Sequence, residues 1–220
     1  MNKDVIISPS ILSGDFANME RTVKNVAEWG GDWVHCDVMD GHYVTNLTFG
    51  MPMIAALKKV SELPLDVHLM IDKPEKYAQR FLDAGADVIT FHPEASDNPS
   101  ELLRSLRNSG KRAGIALNPN VKAEDYVELL PDCDIVVVMT VYAGYGGQKM
   151  IPECLDKVRY LRKIGKEKGL EFDIEVDGGV TEENANAVIE AGANVIVAGS
   201  AVFKSVDPKK TIDMLKGVTK

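Results

Sequence analysis

The sequence predicts an α/β fold, a single (β/α)8 TIM barrel spanning residues 1–220, and three observations predict it. Eight short runs rich in β-branched residues recur at 5–8, 33–38, 65–69, 88–91, 113–117, 135–141, 172–176 and 195–198. Segments with helical apolar spacing separate them, so strands alternate with helices, the pattern of βα units on a parallel sheet. The unusual polar residues His35, Asp37, His68, His92, Asn118, Thr140, Asp177 and Ser200 all fall late in a strand or just after one. A closed ring keeps its chemistry at the carboxyl ends of all its strands, whereas an open doubly wound sheet would gather it at one switch point.

Taken in order, the first run leads to a helix that stops at Trp29-Gly30-Gly31-Asp32-Trp33. The same design returns at Ala84-Gly85-Ala86-Asp87-Val88 and Ala191-Gly192-Ala193-Asn194-Val195. Glycine suits the left-handed position just past a helix, and the apolar residues beyond it begin the next buried strand. Ile54, Leu57 and Val60 mark a helix after the second run, and Pro74 suits the first turn of one after the third. Pro152 opens a stripe of Leu155, Val158, Leu161 and Ile164, and Thr181 before Glu182 and Glu183 reads as an N-cap followed by acids that favour the helix dipole. No Ser/Gly-rich linker or charge block divides the chain.

Composition excludes several classes. A net charge of -8 and the lack of a Lys/Arg run disfavour nucleic acid, whose phosphates reward basic patches. Cys36, Cys133 and Cys154 are odd in number and without CxxC spacing, so neither a disulfide framework nor a zinc knuckle is expected and a reducing cytoplasm fits. No targeting signal is expected at the N-terminus, and no apolar run approaches membrane-spanning length.

Side chains alternate across a strand, so His35, Asp37 and Met39 share one face. His68 and Met70 repeat that spacing on the third run, and Asp177 closes the seventh. Two imidazoles and two carboxylates can converge there, a mixed set suited to zinc, iron(II), manganese or cobalt rather than magnesium. Either histidine alone could equally be a hydrogen-bonded core residue. Two buried carboxylates with no Lys or Arg in their motifs, however, need a metal, a substrate or another cation. Glycine-rich segments at Gly144-Tyr145-Gly146-Gly147, Gly178-Gly179 and Gly199-Ser200 follow late strands, where exposed N–H groups cradle phosphate in many barrels. Each such segment alone reads as a simple turn; the consecutive pair after the last two strands is the stronger signal. Met39, Met70 and Met139 are core filler by type, or else an apolar lid over a reaction centre.

Seven motifs in order, Ser8-Pro9-Ser10-Ile11-Leu12, His35-Cys36-Asp37-Val38-Met39-Asp40-Gly41-His42, Asn46-Leu47-Thr48, Asp66-Val67-His68-Leu69-Met70, Val138-Met139-Thr140-Val141, Glu175-Val176-Asp177-Gly178-Gly179 and Ala198-Gly199-Ser200-Ala201-Val202-Phe203, resemble those of the ribulose-phosphate 3-epimerases. The resemblance runs from about residue 5 to about residue 212. It implies one divalent metal ion held by His35, Asp37, His68 and Asp177, with Asp37 and Asp177 as the two acid/base groups. It also implies that Ser10 and His68 contact the sugar. Gly144, Tyr145, Gly146 and Gly147 with Gly178, Gly179, Gly199 and Ser200 would hold the phosphate, and Met39, Met70 and Met139 would cap a cis-enediolate. The implied reaction inverts C3 of D-ribulose 5-phosphate to give D-xylulose 5-phosphate, a step of pentose phosphate metabolism. A homo-oligomer is also implied, to which Met51-Pro52-Met53 could contribute. The chain departs from the pattern at Tyr142-Ala143, where Asn-Pro is common, at Thr45, where proline is usual, and at Gly14, where alanine is usual. The first leaves the sugar open, and allulose-6-phosphate 3-epimerase is the alternative, to which His92-Pro93-Glu94 and Gly169-Leu170-Glu171 are suited. Barrels that decarboxylate or perform aldol additions would carry Asp-x-Lys-x-x-Asp, which is absent. A non-catalytic phosphate-binding barrel would be expected to lack one acid or ligand, and all four candidates are present.

Overall fold

The computed structural model describes residues 5–217. Eight parallel strands form the sheet: β1 Ile6–Pro9, β2 Val34–Met39, β3 Leu65–Met70, β4 Val88–Phe91, β5 Arg112–Leu117, β6 Ile135–Met139, β7 Asp173–Asp177 and β8 Val195–Ala198. Their hydrogen-bonded order is β1-β8-β7-β6-β5-β4-β3-β2, and a parallel bridge between Ser10 and His35 joins the two ends into a (β/α)8 barrel. The helices are α1 Met19–Glu28, α2 Met51–Lys58, α3 Ala78–Asp83, α4 Pro99–Asn108, α5 Leu155–Lys168, α6 Ala185–Ala191, α7 Ser200–Phe203 and α8 Pro208–Leu215. Among the described residues, no helix is long and apolar enough to cross a membrane.

The expected strands each form, with ends displaced by at most two residues. Gly30, Gly85 and Gly192 take the left-handed conformation at φ 86°, 113° and 115°, as the three matching junctions predict. Other local expectations are corrected. The fifth βα unit has no α-helix: Ala123–Asp132 is a 3-10 segment, broken at Tyr126 and containing Pro131, whose missing N–H and ring exclude a continuous helix. Thr181 does not cap α6, because Thr181 N–H instead donates to Asn184 Oδ1 and the helix starts at Ala185. Val60 lies beyond the end of α2, and Pro74 and Pro152 each open a 3-10 turn rather than the α-helix itself.

Alternation divides the strands into two surfaces. Val34, Cys36, Val38, Leu65, Val67, Leu69, Ile174 and Val176 face outward into the core shared with the helices, where Met51 and Met53 also pack. The inward positions form layers. Trp33, Val88, Ile135 and Val195 plug the amino end of the barrel with apolar side chains. Above them the inside becomes polar around β1, β2, β3, β4 and β7, while Ala116, Val137 and Met139 keep the β5–β6 side apolar. The polar residues therefore rest on a dry floor and open only toward the carboxyl ends of the strands.

Candidate active site

The pleat that sends Val34, Cys36 and Val38 outward sends His35, Asp37 and Met39 inward, and β3 and β7 repeat this with Asp66, His68, Met70 and with Glu175, Asp177. His35, Asp37, His68 and Asp177 consequently meet, each offering one ligand atom within 4.8 Å of the others. Asp37 Oδ1 lies 3.4 Å from His35 Nε2 and 3.6 Å from His68 Nδ1, and Asp177 Oδ2 lies 3.8 Å and 3.7 Å from the same two atoms. A tetrahedron of ligands at zinc distances has edges of about 3.3–3.6 Å. His35 Nε2 and His68 Nδ1 are buried and have no hydrogen-bond partner. Buried polar atoms left unpaired are costly, so four donors converging on one point with two orphaned nitrogens fit a divalent cation well.

The atoms facing away from this point are anchored. Ser10 Oγ donates to Asp37 Oδ2 at 2.6 Å, and Thr48 Oγ1 donates to the Asp37 carbonyl at 2.6 Å. His35 Nδ1 is 2.7 Å from Asp66 Oδ2, which also accepts from Ser8 Oγ at 3.0 Å. His68 Nε2 is 3.0 Å from His92 Nε2. Glu175 is fully buried and its carboxyl has no hydrogen-bond partner, with Oε1 3.4 Å from His35 Nδ1.

So many acids in one dry volume cannot share a single protonation state. Burial opposes the charge on Asp37, yet the adjacent His35 and His68 keep its carboxyl below the ordinary range. Burial, reinforced by the negative charge of Asp37, pushes Asp177 up to about 7. Burial also lifts Glu175 well above the carboxylate range, with Asp66 adding to the effect. Burial works against a charge on His35, but Asp66 and then Asp37 outweigh it and hold the imidazole well above its usual value. His35 and Asp177 are thus disposed to hold protons that ligation of a cation would displace.

Above the floor is a cavity of about 610 Å³. Ser10, Asp37 and Asp177 line its base, and Met39, Met70 and Met139 its inner wall. Met39 and Met70 pack together with Val44, whereas Met139 belongs to the β5–β6 cluster, so the three sulfurs come from two sides of the ring. Gly144, Tyr145, Gly146 and Gly147 line one side of the mouth, and Gly178, Gly179, Gly199 and Ser200 another. Gly179, at φ 66°, leaves no room for a side chain because its backbone lies against the Gln148–Met150 segment. Lys149, Glu183 and Asn184, absent from the sequence prediction, also line the cavity. They sit in loops outside any period that sequence reading could follow.

Two of the departures noted in the sequence lie near one another. Thr45 Oγ1 is 2.6 Å from the Tyr145 hydroxyl, and Asn46 Nδ2 donates to the Gly144 carbonyl at 3.0 Å. The Gln148 amide donates to the Tyr142 carbonyl at 2.8 Å. The loops after β2 and β6 are thereby tied across the mouth.

A sequence model of the Ribulose-phosphate 3 epimerase family matches residues 6–203. The chain belongs to that family. It is 47% identical over 207 residues to the ribulose-phosphate 3-epimerase of Synechocystis sp., covering 93% of this chain and 90% of the relative. The corresponding protein of Bacillus subtilis is 44% identical over 212 residues, covering 96% and 98%. The solved 3-keto-L-gulonate-6-phosphate decarboxylase of Vibrio cholerae superposes with a TM-score of 0.74 at 18% identity, covering 98% of this chain and 97% of that one, which shows a shared fold. Within the ribulose-phosphate 3 epimerase family fold, the sequence-predicted ligands and glycine-rich segments of this member all gather at one barrel mouth. Behind the four converging residues the sequence reading also left Ser8, Asp66 and Glu175 without a role, and it placed His92 and Asn118 at strand ends without assigning them one. Alternation could have found Asp66 and Glu175, which share a face with His68 and Asp177.

Proposed function

We propose that this chain inverts C3 of D-ribulose 5-phosphate to give D-xylulose 5-phosphate, in one catalytic unit over residues 1–220. One observation carries this reading: Asp37 on β2 and Asp177 on β7 are three strands apart around the ring, yet both face the same two imidazoles at the base of the cavity. Inversion needs a proton removed from one face of a carbon and returned to the other, and two carboxyls from separate strands can serve the two faces. The C3 proton is acidic because its bonding pair can move toward the C2 carbonyl. In one direction a carboxylate takes that proton, the pair forms the C2–C3 double bond of an enediolate, and the other carboxyl delivers its own proton to C3 from the opposite side. The reverse reaction exchanges the roles.

A divalent ion such as zinc, iron(II), manganese or cobalt, held by His35, Asp37, His68 and Asp177, would supply Lewis-acid stabilisation of the enediolate charge. Ser10 holds Asp37 in place and reaches the sugar beside it. The N–H groups of Gly144–Gly147, Gly178, Gly179, Gly199 and Ser200 would receive the phosphate, since Lys149 is the one cationic side chain lining the cavity among the described residues. Met39, Met70 and Met139 exclude water from the reacting carbons while offering no proton. The three free cysteines, Cys36, Cys133 and Cys154, are buried, which suits a reducing cytoplasm.

The test measures epimerisation and C3 proton exchange on ribulose 5-phosphate and on allulose 6-phosphate, in metal-replete protein. Ribulose 5-phosphate is expected to be the better substrate, and Asp37→Asn and Asp177→Asn should each lower turnover roughly 10²–10⁴-fold in folded protein. Preference for the hexulose phosphate would reassign the substrate, and exchange undiminished in either variant would remove the two-carboxyl reading.

A further inference from the structure

The two histidines of the cluster are supported in different ways. Behind His35 stands a carboxylate, Asp66. Behind His68 stands a second imidazole, His92, at the end of β4, and its role is not accounted for by the reaction above. His92 is fully buried, and its Nε2 lies 3.0 Å from His68 Nε2. Its ring lies 4.8 Å from that of Tyr43, tilted by 33°, and its Nδ1 lies 3.7 Å from Glu94 Oε1 and 3.2 Å from the Asn118 amide. Glu94 Oε1 in turn accepts from the Tyr43 hydroxyl at 2.9 Å and from Asn118 Nδ2 at 3.1 Å. Three residues from the ends of β2, β4 and β5, Tyr43, Glu94 and Asn118, thus surround the imidazole that stands against His68.

Two neutral imidazoles in contact share a single hydrogen, and its position sets both tautomers. A lone pair on His68 Nδ1, the atom that faces Asp37 and Asp177, requires the hydrogen on His68 Nε2. His92 Nε2 must then accept it, and the hydrogen of His92 moves to Nδ1, which lies 3.2 Å from the Asn118 amide and faces the negative charge of Glu94 at 3.7 Å. The Asn118 carbonyl, buried and without a partner among the described residues, supplies the acceptor when the amide turns over, and Glu94 then keeps its bond from the Tyr43 hydroxyl.

We propose that His92, backed by Glu94, Asn118 and Tyr43, is a positioning residue that locks His68 in the tautomer whose Nδ1 lone pair is aimed at the cation. This rests on the reading that the four-residue cluster holds a divalent ion. A partner behind a ligating histidine fixes ring orientation and proton placement, and its loss typically weakens metal binding roughly 10–100-fold. A neutral imidazole in this place, rather than another carboxylate, also spares a volume that already contains Asp37, Asp66, Glu175 and Asp177 a further negative charge.

The experiment measures zinc affinity by chelator competition for the wild-type chain, His92→Phe, His92→Gln and Glu94→Gln, with melting curves taken in parallel. Phenylalanine keeps the ring volume without an acceptor and should weaken zinc binding roughly 10–100-fold. Glutamine restores an acceptor where Nε2 stood and should recover most of that loss, a rescue that packing alone would not produce. Long-range ¹H–¹⁵N spectra of the zinc-loaded protein should show the His68 hydrogen on Nε2. If His92→Phe fails to fold, Glu94→Gln decides, with a smaller loss of the same sign expected and wild-type affinity overturning the proposal. Wild-type affinity in folded His92→Phe, no rescue by glutamine, or a His68 hydrogen on Nδ1 would each overturn it. Failure of the wild-type chain to bind zinc would instead refute the metal reading on which it rests.

Discussion

Asp37 owes its charge to its neighbours. Its Oδ1 faces two imidazoles, its Oδ2 accepts from Ser10, and its backbone carbonyl accepts from Thr48, so the carboxylate is held in one orientation. A hydrogen bond to a charged group contributes about 1.5–3 kcal/mol. Ser10→Ala should accordingly lower kcat/KM by roughly one to two orders of magnitude, with little change in melting temperature, as steady-state kinetics and calorimetry would show. A variant with wild-type kcat/KM would mean that Asp37 needs no such support. Asp177 differs from Asp37 because burial and then the negative charge of Asp37 outweigh the nearby His35, whereas His35 and His68 outweigh burial at Asp37. That inequality separates a pair of chemically identical side chains into two protonation states.

At the scale of elements, the loop after β7 illustrates how tightly backbone and site are joined. Gly179 combines φ 66° with a backbone packed against the Gln148–Met150 segment of the neighbouring β6 loop. A methyl group there would push apart two loops whose N–H groups line the same cavity. Gly179→Ala is expected to raise KM for the phosphorylated ketose at least tenfold while metal content stays unchanged, because the four ligands lie on strands rather than on these loops. Equal losses of zinc and substrate affinity would show that the loops and the ligand cluster are mechanically coupled. The βα units are unequal in this respect. The fifth replaces its helix with a 3-10 segment broken at Tyr126 and containing Pro131, and its connection nevertheless brings Asn118 to the His92 network.

Across the whole molecule, the acid-rich barrel interior links stability, pH and metal. In the metal-free protein Asp177 binds its proton up to about pH 7, against 3.8 for an unperturbed aspartate, and His35 is likewise raised. The native state then holds more protons than the unfolded chain between those values, so the stability these groups contribute is present at low pH and is lost as pH rises through about 7. Thermal melts of the chelated protein should therefore fall from pH 5.5 to pH 8, and excess zinc should reverse the fall. Metal uptake near neutrality should release protons, readable by calorimetry in buffers of different ionisation enthalpy. Uptake without proton release, or a chelated protein that gains stability over this range, would contradict the assignment of protons inside the barrel.

Much of this architecture was legible in one dimension. The eight runs, the three glycine stops and the placement of polar residues at strand ends all follow from local chemistry: period-two alternation, helix termination and the cost of burying charge. Those rules determined the barrel, the shared inward face of His35, Asp37, His68 and Asp177, and the glycine-rich loops around the cavity. Only the tertiary structure decided what stands behind the ligands. Asp66 and Glu175 behind His35, and His92 behind His68, are contacts between residues dozens of positions apart. Ring closure sets which strands become neighbours, and strand register sets which side chains share a layer. The same long-range packing splits the two aspartates electrostatically, since a carboxyl's proton affinity depends on the charges folded around it and not on its neighbours along the chain.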